Sequence, residues 1–183
     1  MANRLSKIYT RTGDDGSTGM ADGTRVAKDD VLVHVIGEVD ELNCQLAVVA
    51  SHAADDFSES IRVIQNELFN VGAELTLGEV MIKQESVDWL EQHLDELNSS
   101  LSPLKEFILP GGGLAASHCH VARAVCRRVE RSLVSLDKRA FLNKYLKAYI
   151  NRLSDYLFVL SRAISKQEGT DETYWQSEKL SKK

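Results

Sequence analysis

Three arginines, Arg123, Arg127 and Arg131, recur at i, i+4 spacing within His118-Cys119-His120-Val121-Ala122-Arg123-Ala124-Val125-Cys126-Arg127-Arg128-Val129-Glu130-Arg131. On a helix that spacing lines them along one face, where each like-charged pair costs about 0.2–0.5 kcal/mol. Such a row is either a solvated face that salt screens cheaply or a clamp for phosphate, because the planar guanidinium fork meets phosphate oxygens two at a time. Spacing alone leaves both readings open.

A second candidate is Thr10-Arg11-Thr12-Gly13-Asp14-Asp15-Gly16-Ser17-Thr18-Gly19. Its glycines let successive backbone N–H groups converge on an anion while hydroxyls donate beside them, and Lys28 downstream adds a point charge. The stretch has neither the GxxxxGK[ST] spacing of a P-loop nor the GxGxxG of a dinucleotide fold, and Asp and Gly in this density also build an ordinary surface turn.

Two further clusters fall inside apolar-periodic segments. In Gly37-Glu38-Val39-Asp40-Glu41-Leu42-Asn43, Asp40 and Asn43 lie one turn apart, beside the stripe of Val39, Leu42 and Leu46. In Asn151-Arg152-Leu153-Ser154-Asp155, Asn151 and Asp155 share a face next to another apolar stripe; an Arg152–Asp155 surface pair or a structural hydrogen bond is the plainer account of them. His118 and His120 are two apart, so on a helix they diverge and do not share a metal. No Glu-x-x-His pair marks a di-iron bundle and no GxSxG marks a nucleophile elbow.

These clusters need helices to hold them. Residues 35–49 (Val35, Ile36, Val39, Leu42, Leu46, Val49), 61–75 (Ile61, Ile64, Leu68, Val71, Leu75) and 87–97 (Val87, Leu90, Leu94, Leu97) each carry an apolar stripe at helical period. The first helix is predicted to start at Asp29 or Asp30 and end near His52, the second to stop near Gly78, and the third to run from about Ser86 to the Asn98-Ser99-Ser100 break before Pro103. A fourth is expected over 115–136 (Val121, Val125, Val129, Leu133) and a fifth over 142–164 (Leu146, Ile150, Leu153, Leu157, Leu160). Residues 7–28 read as a short extended piece leading into an ordered loop, too small to fold alone, and residues 107–113, Phe-Ile-Leu-Pro-Gly-Gly-Gly, as a second loop. Past Gly169 the tail is polar apart from Tyr174 and Trp175, and is either mobile or docked through those two rings on its own trimer or another surface.

The chain has 183 residues, 43% of them hydrophobic and 27% charged, with two prolines, which suits one all-α domain over 1–168 followed by the tail 169–183. A net charge of −5 disfavours bulk attraction to nucleic acid or anionic membrane. Cys44, Cys119 and Cys126 form no CxxC and are odd in number, so they read as free thiols in a reducing compartment, the cytoplasm. No apolar run approaches the ~20 residues of a membrane span, and residues 1–7 have no signal-peptide core.

Taken in order, residues 7–16, 37–43, 107–112, 123–131 and 150–156 resemble the PduO-type ATP:cob(I)alamin adenosyltransferases, and the resemblance covers nearly the whole chain apart from the tail. It implies a five-helix up-and-down bundle of ferritin-like type that assembles as a homotrimer with ATP held between subunits. It implies an activity too: transfer of the 5′-deoxyadenosyl group of ATP to the cobalt of cob(I)alamin, itself reduced from cob(II)alamin, giving adenosylcobalamin and triphosphate. Implied ATP-binding residues are Thr10, Arg11, Thr12, Gly13, Thr18, Gly19, Lys28, Arg127, Arg128, Glu130, Arg131 and Asn151.

By the same resemblance Arg123 pairs with Asp40, relieving the arginine row, and Phe107 occupies the lower face of cobalamin, excluding an axial ligand; Asp40, Phe107, Arg123 and Arg127 are the implied catalytic set. Mg²⁺ is expected on ATP, with no protein ligand assigned to it. A reductase and a B12-dependent enzyme are the implied partners. Arg11 stands where the family often has lysine, which keeps the charge. A non-catalytic ATP sensor and a scaffold docking an acidic partner are the competing readings.

Overall fold

The computed structural model describes residues 8–176, so Lys7 and the end of the tail, 177–183, lie outside the described residues. Five helices form: α1 (Val31–His52), α2 (Asp55–Leu77), α3 (Gln84–Ser99), α4 (Leu114–Asp137) and α5 (Lys144–Gln167). Asp30, not Asp29, caps α1, its carboxylate accepting from the Leu32 N–H at 2.8 Å. α2 ends where expected, Gly78 taking the left-handed conformation at φ 71°. α5 starts two residues later than its apolar stripe suggests, because the Asn143 side chain accepts from the Tyr145 N–H at 3.0 Å and so occupies the cap.

Packing follows the apolar stripes. α4 packs between α1 and α5, α2 packs on α1 and α3 on α5, and the Ser86 hydroxyl donates to Glu67 at 3.2 Å, bringing α2 and α3 together so that the bundle closes. Cross-links fix the directions. His118 stacks on His52 while Arg128 reaches Glu38 and Glu41, so α4 runs antiparallel to α1. Cys119 and Cys126 donate to the carbonyls of Leu157 and Ile150, so it is antiparallel to α5 as well. Asn143 meets the Ile82 carbonyl and Arg152 meets Glu91, so α3 and α5 run parallel. Helix direction thus alternates along the chain, the up-and-down bundle expected, although the lateral order 2-1-4-5-3 is not the chain order. One continuous core results, with Leu42, Leu46, Ile64, Leu68, Leu90, Tyr149 and Tyr156 all but sealed from solvent.

The segment before α1 is ordered, as expected, and contains a hairpin that its composition does not show. β1 (Ser17–Gly19) and β2 (Arg25–Ala27) pair antiparallel with Thr18 opposite Val26. This hairpin packs substantially on none of the helices. Ile8 and Tyr9 ahead of it are 92% and 68% exposed. At the other end, the described part of the tail folds back on its own chain: Tyr174 forms an antiparallel bridge with Ile108, and the Trp175 N–H donates to the Phe107 carbonyl at 2.7 Å.

Glu74 closes the turn between α2 and α3. Its buried carboxylate accepts from the N–H groups of both Met81 and Ile82 at 2.8 Å. Glu74→Ala is expected to lower unfolding stability by about 3 kcal/mol, since two enclosed donors lose a charged acceptor; urea titration of both proteins at equal m-value checks this, and an unchanged midpoint contradicts it.

Candidate active site

The arginine row of α4 does not act as a unit, because its neighbours treat each guanidinium differently. Glu38 and Glu41 stand one turn apart on α1 and face α4, where they hold Arg128: Glu41 pairs with it directly and Glu38 lies 3.6 Å from its Nε. Arg131 folds back to donate to the Arg127 carbonyl at 2.9 Å. Arg123 is half-buried, its Nε enclosed without a hydrogen-bond partner and its guanidinium 6.0 Å from the centre of the Phe158 ring. Arg127 is exposed, and its side chain has no carboxylate or hydrogen-bond partner among the described residues.

The expected Arg123–Asp40 pair is therefore not made within the chain. Asp40 sits on the outward side of α1, exposed and unpaired among the described residues, whereas the carboxylates on the α4 side are Glu38 and Glu41. Those two glutamates neutralise Arg128, which stands beside the row, and leave its three members without a carboxylate partner among the described residues. On the other flank of α4, Glu130 accepts from the Asn151 side-chain amide at 2.7 Å, which brings together two of the predicted ATP-binding residues. Asp155 pairs with Arg152 at 2.8 Å, the plainer of the accounts considered for it.

The hairpin shapes the N-terminal loop. Gly16 N–H donates to the Gly13 carbonyl at 3.3 Å, and Lys28 N–H donates to the Gly16 carbonyl at 2.9 Å. Gly13 lies close beneath the Lys28 ammonium: a Cβ there would come within 3.2 Å of Nζ and 3.0 Å of the Ser17 carbonyl. Thr10 and Thr12 hydroxyls are 2.8 Å apart, and Arg11 between them takes a left-handed φ of 60°, uncommon outside glycine. Arg25 ties the loop shut through the Thr12 carbonyl and the Ser17 hydroxyl. Ser17's hydroxyl and amide, with Arg25 behind them, hold the Asp15 carboxyl below its usual range. Thr18 and Gly19 lie in β1.

Phe107 is 74% exposed at the tip of the 100–113 connection, its ring meeting Trp175 edge-on at 6.2 Å. Gly112 and Gly113 both have φ 96°, a conformation that favours glycine, and a Cβ at Gly112 would also collide with Ser165, so the connection lies flat on α5 with glycine there. Beneath it is a cavity of about 190 Å³ lined by Gly112, His120, Ser161, Arg162 and Glu172, among others. Burial, reinforced by Arg123, lowers the His120 pKa to about 4, so its ring is neutral at physiological pH.

The predicted residues thus fall in three places: Arg123, Arg127, Arg128, Glu130, Arg131 and Asn151 along α4 and its neighbours, Thr10 through Lys28 on the hairpin arm, and Phe107 on the connection. No hydrogen bond or ion pair among the described residues joins the arm to α4. Arg25, Glu38, Glu41 and the Arg162–Glu172 pair escaped sequence reading. The i, i+3 spacing of Glu38 and Glu41 was a signal for two of them; Arg25 reaches Ser17 only through the hairpin, which left no periodic trace. Among the described residues no group of three or more His, Cys, Asp or Glu side chains could hold a metal, and no helix there is long and apolar enough to cross a membrane.

Residues 8–164 match the family described as cobalamin adenosyltransferase. A cobalamin adenosyltransferase of Cupriavidus metallidurans is 44% identical over 99% of this chain and 100% of its own. A corrinoid adenosyltransferase of Citrobacter freundii is 42% identical over 86% of this chain and 94% of its own. Among solved structures, a phenylalanine-to-alanine variant of the PduO-type ATP:corrinoid adenosyltransferase from Lactobacillus reuteri, complexed with cobalamin and ATP, superposes with a TM-score of 0.88 at 34% identity, covering 93% of this chain and all of that one. An arginine-to-lysine variant of the same enzyme complexed with ATP gives 0.87 at 35% identity, covering 92% of this chain and 100% of that one.

His120 gives the site a measurable signature. Its folded-state pKa of about 4 lies below the ordinary 6.5, so between those values the unfolded chain binds a proton that the native chain refuses. This contribution is complete above pH 6.5 and is lost as pH falls towards 4, by about 1.4 kcal/mol for each unit of depression. Urea midpoints at pH 7 and pH 5 are expected to differ less in His120→Gln than in the wild type, and equal differences contradict the assignment.

Proposed function

This chain belongs to the cobalamin adenosyltransferase family and transfers the adenosyl group of ATP to cobalamin, and we propose that it does so at a site made by the α4 arginine face of one copy and the N-terminal loop of a neighbour. The observation that carries the proposal is Arg127: an exposed guanidinium with no partner among the described residues, while its sequence neighbour Arg128 is held by Glu38 and Glu41. An uncommitted guanidinium kept beside others is costly unless an anion completes it.

The homotrimer with inter-subunit sites is supported by the arm. Its loop offers threonine hydroxyls and Lys28, yet it packs substantially on none of its own helices and carries Ile8 and Tyr9 exposed at its base. A segment built this way finds cover on another copy. Asp40 and the half-buried Arg123 guanidinium, which do not meet within the chain, would then pair across the same boundary through its terminal nitrogens. Thr10, Arg11, Thr12, Gly13, Thr18, Gly19 and Lys28 from one side and Arg127, Arg128, Arg131 and the Glu130–Asn151 pair from the other would enclose ATP.

The cobalt of cob(I)alamin attacks the 5′ carbon of ATP with its electron pair. A cobalt–carbon bond forms, the 5′ C–O bond breaks, and triphosphate leaves with the electrons of that bond. No protein nucleophile takes part. What the chain supplies is position, and positive charge placed in advance where negative charge grows on the leaving group. With Glu38 and Glu41 engaged by Arg128 and no carboxylate cluster among the described residues, Mg²⁺ would be held by the phosphates of ATP.

Reduction of cob(II)alamin to cob(I)alamin needs one electron from a reductase, and is easier once the lower axial ligand of cobalt has been removed. Phe107, on the exposed tip of its connection, would exclude that ligand by bulk. The product is a cofactor, so a B12-dependent enzyme is the expected recipient and the cytoplasm the expected setting.

Anaerobic spectroscopy of reduced cobalamin with ATP tests the reaction through its cobalt–carbon product. Arg127→Ala is expected to shrink the ATP-induced rise in melting temperature and lower kcat/KM on the order of a hundredfold, while Phe107→Ala keeps that rise and loses turnover from cob(II)alamin. If Arg127→Ala leaves both quantities alone, Arg127 is not in the phosphate site; if Phe107→Ala turns over cob(II)alamin at the wild-type rate, it excludes no ligand.

A further inference from the structure

Arg162 is 4% exposed, an unusual place for a permanent charge, and its contacts explain the burial. Its Nε donates to Glu172 Oε1 at 2.5 Å, and one terminal nitrogen donates to the Ser102 carbonyl at 2.7 Å and more weakly to Glu172 Oε2 at 3.4 Å. A single guanidinium therefore joins three pieces of chain: α5, the start of the 100–113 connection, and the tail.

From Glu172 onward the tail lies along the connection. Thr173 accepts the Leu109 N–H at 2.8 Å, Tyr174 bridges Ile108, and the Trp175 N–H holds the Phe107 carbonyl at 2.7 Å. Before Glu172, the Thr170 hydroxyl donates to the Gly112 carbonyl at 2.9 Å. Phe107 has no pocket of its own: its ring is 74% exposed and Trp175 is its aromatic neighbour. What sets its place is its backbone, and its backbone is held by the tail.

We propose that Arg162 and Glu172 are positioning residues for the adenosyl transfer, a latch between a buried guanidinium and a half-buried carboxylate that fixes the tail across the connection and thereby presents Phe107 at the height where it can exclude an axial ligand from cobalt. The inference rests on the function given to Phe107 above. Neither latch residue touches substrate. The latch accounts for an ion pair at a place where an apolar pair would pack as well or better, and a displacement of the aromatic tip by about 1 Å is enough to cost a hundredfold in rate.

The test compares wild type, Glu172→Ala and the double variant Arg162→Met/Glu172→Gln, which removes both charges and so leaves no unpaired buried one should Glu172→Ala fail to fold. Three readouts are taken: the ATP-induced rise in melting temperature, the electron paramagnetic resonance signature of cob(II)alamin freed of its axial ligand, and kcat with cob(II)alamin. The folded variant is expected to keep the ATP response, lose most of the ligand-free signal and fall on the order of a hundredfold in kcat, while Phe107→Ala added to it lowers kcat little further. A folded double variant with the wild-type signal and kcat overturns the latch while leaving the function of the site intact. A wild type that makes no adenosylcobalamin overturns the functional reading, and the latch with it.

Discussion

Helix α4 has to satisfy two demands on opposite sides of one cylinder. Its inner stripe of Ala115, Ala116, Cys119, Ala122, Cys126 and Val129 is small enough to lie tightly between α1 and α5. Its outer side holds four arginines within nine residues, a concentration of like charge that packing between α1 and α5 does not require. The structure resolves part of the conflict through Glu38 and Glu41 on α1 and leaves the remainder, Arg123 and Arg127, incomplete. That incompleteness is the physical root of the functional account: charge left over inside a chain of net charge −5 is charge available to a ligand or a second copy.

The same logic of unfinished surfaces applies at the N-terminus. Arg25, Ser17 and Asp15 make the loop a defined shape without help from the bundle, so the arm is rigid where it would meet a nucleotide and uncovered along its base. An arm that is ordered internally but packs on little of its own fold has to be placed by something outside that fold. At the other end the reverse holds, because the tail and the Phe107 connection complete each other within one chain. In the proposed account the molecule combines one element positioned by its own latch with another that a neighbouring copy would cover.

The helices were legible in the sequence because each buries a stripe at the 3.6-residue period, and the caps at Asp30 and Gly78 follow from side-chain and backbone chemistry confined to one turn. The arginine row and the Asn151 position could be read from spacing. Partners across helices could not: Asp40 and Glu41 are adjacent residues, and which of them faces α4 depends on the rotation of α1 within the bundle. The Asn143 cap shifted the start of α5 past Leu142 because a polar side chain one residue into the apolar pattern outweighs that pattern. The hairpin was missed because strands of three residues are too short for alternation to register. The tail's docking rests chiefly on backbone bonds and one ion pair, and its composition marks neither.

A crystal structure of the protein with ATP is the most direct test of the central claim. The account predicts the triphosphate against Arg127 on the outer face of α4, with the Thr10 to Lys28 loop of another copy closing over it and Asp40 of that boundary meeting Arg123. Nucleotide bound away from α4, or Arg127 still solvated beside an occupied site, contradicts it.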